Sequence, residues 1–156
     1  MDIISFTKED NHIKDALKKD GVKICRDRMD SLIIRDCIEK FTNGFCFTMP
    51  KAMVGQRSRN WSDRNIIKSF ILFDVSSFGI INIKLLCSSS RNTQARELLD
   101  SLYEYGYDND CSAITLEALA EERLVQWYQD NGFIRGDTIF DRRSGEPKVV
   151  LMSKQL

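Results

Sequence analysis

Apolar and polar positions along this chain divide it into segments whose spacing switches between strand-like and helix-like. Ile3, Ile4 and Phe6 predict a short first strand. Ile13, Ala16 and Leu17 share a helical face behind Asp10 or Asn11 as the cap, with Gly21 placed to stop the helix. Val22-Lys23-Ile24-Cys25 alternates as a short strand or a loop would. Asp30 or Ser31 caps the next helix, whose inner face is Ile34, Cys37, Ile38 and Phe41 and whose outer face is charged; Asn43-Gly44 closes it. Residues 45–49 read as a strand ended by Pro50. Residues 55–65 are polar and basic, a long hairpin loop leading to an antiparallel strand over 66–75. In that loop Arg57, Arg59 and Arg64 lie near Trp61, as a grip on phosphate or an acidic group, or as a solvated loop with Trp61 folded over the sheet edge.

The centre of the pattern is the run 78–86, nearly unbroken in its apolar, β-branched character after the Ser76-Ser77 turn. It predicts a strand buried on both faces. The run gives way to Cys87-Ser88-Ser89-Ser90-Arg91-Asn92-Thr93, small and turn-forming, and then to a helix carrying Ala95, Leu98, Leu99 and Leu102, with Gly106 to end it. A strand, a polar loop and a helix start point several backbone N–H groups at one place, at the positive end of the helix dipole. Such a place attracts phosphate, and Arg91 and Arg96 flank it. Residues 111–118 form a strand reached by a helical crossover, and so parallel to 78–86. Ala120, Leu124, Trp127 and Tyr128 make the inner stripe of another helix, which begins with Glu121 and Glu122 and ends at Asn131-Gly132 before Phe133. A last hairpin pairs 138–140 with 149–152. These elements make a mixed α/β fold, antiparallel strands first and a β-α-β-α-β half second, in a single domain over 1–156.

Composition narrows the chemistry. The chain of 156 residues supports one well-buried core. Lys plus Arg and Asp plus Glu number 23 each, so the basic excess of a nucleic-acid or acidic-membrane binder is missing. No apolar run reaches membrane-spanning length, and the first residues lack the pattern of a signal peptide. The five cysteines, Cys25, Cys37, Cys46, Cys87 and Cys111, are odd in number and set among apolar residues, which predicts buried free thiols in a reducing cytoplasm. With His12 as the single histidine, on an exposed helix face, and no CxxC pair, neither a metal site nor a His-activated nucleophile is expected.

The second half resembles the GCN5-related N-acetyltransferase (GNAT) superfamily. Trp127-Tyr128-Gln129-Asp130-Asn131-Gly132-Phe133 matches its hallmark of a tyrosine, three variable residues and Gly-Phe. Leu116-Glu117-Ala118 matches the parallel strand before that helix, and Val150-Leu151-Met152-Ser153-Lys154 its closing strand. The resemblance implies a GNAT fold with a splayed parallel strand pair, and direct acetyl transfer from acetyl-CoA to an amine-bearing acceptor, without a metal. It implies that the pantetheine arm pairs with backbone near Leu85, Leu86 and Cys87, where an N–H polarises the thioester carbonyl. The pyrophosphate then falls to Ser90, Arg91, Asn92, Thr93, Gln94, Ala95 and Arg96. Ala95 fits the family's pattern there; Ser90 stands where Gln or Arg is usual and Thr93 where glycine is. Tyr128 takes the position of the general acid that protonates the leaving thiolate. Glu117 is the candidate general base, since Asn82 stands where the family often has a glutamate; a carboxylate on a solvated face is the other reading of Glu117. Cys87 reads as a buried thiol. Sheet-edge homodimers through the last strands occur in the family. A degenerate GNAT domain that binds acyl-CoA or a protein without turnover is the alternative, motivated by Thr93 and Asn82.

Overall fold

The computed structural model describes residues 2–25, 30–51, 61–89 and 93–156. Its strands follow the order β1-β2-β3-β4-β5-β7-β6, with β1 Asp2–Thr7, β2 Asn43–Pro50, β3 Asn65–Val75, β4 Ile80–Ser88, β5 Ala113–Leu119, β6 Ile134–Phe140 and β7 Pro147–Gln155. The chain divides into two compact units, Met1–Asp74 with Lys84–Leu102, and Val75–Ile83 with Tyr103–Leu156.

In the first unit β1 pairs antiparallel with β2, from Asp2 opposite Thr48 to Thr7 opposite Asn43. β2 pairs antiparallel with β3, with a register shift at Phe47 and Thr48. Gly44 is where these strands need glycine: a Cβ there would stand 2.4 Å from the Phe6 ring and 2.8 Å from the Ile71 carbonyl oxygen. The N-terminal helical segment is longer than the pattern predicted. α1 Asn11–Ala16 passes through a π-helical turn, Leu17–Gly21, into α2 Val22–Cys25, so the expected stop at Gly21 and the strand or loop after it are both replaced by helix. Gly21 serves packing instead, since a Cβ there would meet the Phe70 ring at 3.2 Å. α3 Ser31–Lys40 starts as predicted, with the Asp30 carboxylate accepting from the Leu32 N–H at 2.8 Å. It ends before Asn43-Gly44, which belong to β2. A short turn, α4 Trp61–Arg64, precedes β3. Leu17, Ile34, Ile38, Phe70, Leu72 and Leu85 are the centre of this unit's core.

In the second unit the first part of β4 runs parallel to β5, Ile80 opposite Ala113 through Ile83 opposite Leu116, as the helical crossover requires. β4 ends at Ser88 and β5 at Leu119. Strand β4 is thus shifted from the predicted 78–86, taking in Cys87 and Ser88 that the polar pattern assigned to the loop. β5 pairs on its other side with β7, and β7 with β6. α5 Thr93–Asp108 gives its first part to the first unit and its last turns to the second. It runs through Gly106, where a Cβ would fall 2.4 Å from Leu156. The helix ends instead near Asp110, in the left-handed region at φ 55°. α6 Glu122–Asp130 buries Val125 and Tyr128, with Trp127 half-buried beside them.

Candidate active site

The expected donor-binding residues lie in the first unit. Leu85, Leu86 and Cys87 lie in the last part of β4. Leu85 is buried in the core, and Leu86 is half-buried. Cys87 is joined to Cys25 in a disulfide whose Cα atoms are 5.6 Å apart, within the span a disulfide bridges. This corrects the reading of Cys87 and Cys25 as free thiols; Cys25 ends α2, and Cys87 lies next to the last residue of β4. Cys37, Cys46 and Cys111 are free thiols. Burial pushes Cys46 up to about 12 and raises Cys37 and Cys111 as well, so these sulfurs stay protonated and weakly nucleophilic at neutral pH.

Thr93 opens α5 and is exposed, as is Arg96, while Gln94 and Ala95 are half-buried. The first turn of this helix carries no acidic residue, so no carboxylate there offsets the positive end of the dipole, and the residues present suit an anionic diphosphate. Ser90, Arg91 and Asn92 lie outside the described residues, as do Arg57 and Arg59. Gln94 is turned inward: its carbonyl oxygen accepts a hydrogen bond from the Ser69 hydroxyl on β3. Ser69 Oγ also lies 2.8 Å from Ser88 Oγ at the end of β4. Sequence reasoning gave Ser69 no role. Its one signal is a small hydroxyl just before the apolar run Phe70–Phe73 of β3.

The expected acid and base lie in the second unit. Tyr128 is buried on α6, its ring edge-on to Phe133 at 5.4 Å and to Trp127 at 5.0 Å. The hallmark sequence has a local purpose here. Gly132 turns the chain with φ 90°, which glycine adopts without strain, and Phe133 comes back against Tyr128 with its N–H donating to the Tyr128 carbonyl at 3.0 Å. Lys154 closes this corner: Nζ donates to the Asn131 carbonyl at 2.9 Å and lies 4.1 Å from the centre of the Tyr103 ring. Glu117 is exposed on β5, opposite Leu151. Asn82 ties β4 to β5, its amide donating to Thr115 Oγ1 at 3.0 Å. Among the described residues no three His, Cys, Asp or Glu side chains gather as a metal site, and no helix is long and apolar enough to cross a membrane.

No protein-family model and no curated protein matches this chain. Solved structures do. An aminoglycoside 6'-N-acetyltransferase complexed with coenzyme A aligns over 99% of this chain and 97% of its own, with a TM-score of 0.69 at 11% identity. The ribosomal-protein-S18-alanine N-acetyltransferase from Escherichia coli aligns over 99% of this chain and 94% of its own, with a TM-score of 0.67 at 11% identity. A chain of the NatC complex bound to Gag peptide and CoA aligns over 100% and 99%, with a TM-score of 0.62 at 18% identity. The fold is that of the GNAT superfamily. In GNAT terms β4 and β5 are the parallel pair, α5 the helix between them, and the tyrosine hallmark spans α6 and the turn after it.

Proposed function

We propose that this chain is an acetyl-CoA-dependent N-acetyltransferase, a single domain that transfers an acetyl group directly to a primary amine of a small molecule or a protein. One observation carries the reading. The first part of β4 pairs parallel with β5, Ile80 opposite Ala113 through Ile83 opposite Leu116, with α5 as the crossover, in a fold shared with acetyltransferases. Acetyl-CoA supplies the acyl group already activated as a thioester. Backbone of Leu85, Leu86 and Cys87 holds the pantetheine arm; the disulfide engages the Cys87 side chain and leaves its peptide groups out of that bond. Residues Ser90 to Arg96 hold the diphosphate, with Thr93 offering a hydroxyl donor where glycine is usual. Tyr128 protonates the departing thiolate, and Glu117 takes the proton of the attacking amine, directly or through water.

Cytoplasmic location and a homodimer are parts of the same proposal. Three free thiols support the first, while the Cys25–Cys87 bond pulls toward a more oxidising setting. Ile134 and Phe140, 68% and 56% exposed on β6 at the end of the strand order, support the second. A second reading, a GNAT domain that binds acyl-CoA or a protein partner without turnover, is favoured by Asn82. Its amide is committed to Thr115, and it has no proton-accepting group to serve as a base. The deciding experiment is thiol release from acetyl-CoA over a panel of polyamines, amino sugars, aminoglycosides and peptides. Amine-dependent release supports the transferase; release with none of them, alongside a melting temperature raised by CoA, supports the binder.

A further inference from the structure

The Ser69 cluster lies within the first unit, and Ser69 itself has no part in the chemistry described so far. Ser69 is 0% exposed, and with Thr48 it is one of two buried polar residues among those described. A buried hydroxyl is retained against its desolvation cost only where it is hydrogen-bonded. Here the partners come from two other elements: Ser88, the last residue of β4, and Gln94, in the first turn of α5. The order of donors follows from chemistry. The Gln94 oxygen can only accept, so the single Ser69 proton goes to it, and the Ser88 hydroxyl donates to Ser69 Oγ. Beside this, the Ser89 N–H donates to the Lys68 carbonyl at 3.0 Å, fixing the chain leaving β4 to the same stretch of β3. The end of β4 and the start of α5 are therefore both fastened to one stretch of β3.

We infer that Ser69 is a positioning residue for the donor nucleotide. It sets where α5 begins relative to the end of β4, and so where the first-turn amides of that helix point. The inference rests on the acetyl-CoA reading above and adds to it a residue that touches neither donor nor acceptor. A hydroxyl bond of this kind is a device for fixing an angle. Loss of it leaves the helix intact and its start less well placed, which costs an interaction that depends on several amides converging on one phosphate.

The test is calorimetric titration with CoA of the wild type, Ser69→Ala, Gln94→Ala and the double variant, each shown by circular dichroism to be folded at the working temperature. Ser69→Ala and Gln94→Ala each weaken CoA binding on the order of tenfold, the scale of one hydrogen bond. The double variant loses less than the product of the two single losses, because both changes remove the shared Ser69–Gln94 bond. Pantetheine, which lacks the diphosphate, serves as the control: titrated alone, it binds Ser69→Ala and wild type alike. Ser88→Ala, which keeps the Ser69–Gln94 bond, is the milder variant if Ser69→Ala does not fold, and it weakens CoA binding by a smaller factor. Ser69→Ala binding CoA within about twofold of wild type, or losses that multiply in the double variant, would overturn the inference while leaving the acetyl-CoA reading in place. Wild type that takes up no CoA overturns both.

Discussion

Reduction of the Cys25–Cys87 bond is the perturbation whose size can be worked most directly. The bond joins residues separated by 62 positions, linking the end of α2 to β4. Its main contribution is to the unfolded chain, where it removes the freedom of that long loop, a stabilisation of about 4 kcal/mol in the chain-entropy treatment. For a domain of this size such a loss lowers the melting temperature by roughly 10 °C. The assay is thermal unfolding with and without a phosphine reductant, with Cys25→Ala/Cys87→Ala as the control that no longer responds to reductant. Alkylation of the denatured protein checks the pairing: three thiols, Cys37, Cys46 and Cys111, react before reduction and all five cysteines after it. Five reactive thiols before reduction in protein exposed to glutathione disulfide, or a melting temperature unmoved within about 1 °C, would refute the reasoning.

Three further outcomes are expected. Gly44→Ala forces a Cβ against the Phe6 ring and the Ile71 carbonyl and costs about 2 kcal/mol in denaturant unfolding; an unchanged midpoint would show that β1 and β2 yield freely there. Cys46, held protonated by burial with its pKa up to about 12, resists iodoacetamide in the native protein at about pH 8 and reacts only on unfolding, which peptide mass mapping detects. Once an amine acceptor is identified, Tyr128→Phe lowers kcat about 100-fold while the KM for acetyl-CoA stays within about threefold. Equal turnover across pH would remove Tyr128 from the chemistry.

Elements with a strong internal period were legible in the sequence, and the reasons for the exceptions are physical. The α3 cap at Asp30, the parallel relation of β5 to β4 and the closing hairpin all follow from local pattern plus the crossover rule. Gly21 and Gly106 were misread as helix stops. Each is glycine because a neighbouring side chain, Phe70 or Leu156, occupies the space of a Cβ, and a helix-ending glycine looks the same in one sequence. The disulfide needed knowledge that α2 continues to Cys25, since 62 residues separate its partners. Ser69 was invisible for a similar reason: its meaning lies in Gln94 and Ser88, which only the folded chain brings to it. The tyrosine hallmark was readable because its glycine and phenylalanine serve a turn three residues wide.

Amide hydrogen exchange with and without CoA tests the central claim most directly. An α-helix leaves its first N–H groups pointing out of its end. If the donor's diphosphate docks on α5, exchange at Thr93, Gln94 and Ala95 slows markedly on adding CoA, and slows least in Ser69→Ala. Unchanged exchange at those three amides with CoA at saturating concentration, or protection confined to β1 and β2, would contradict the account.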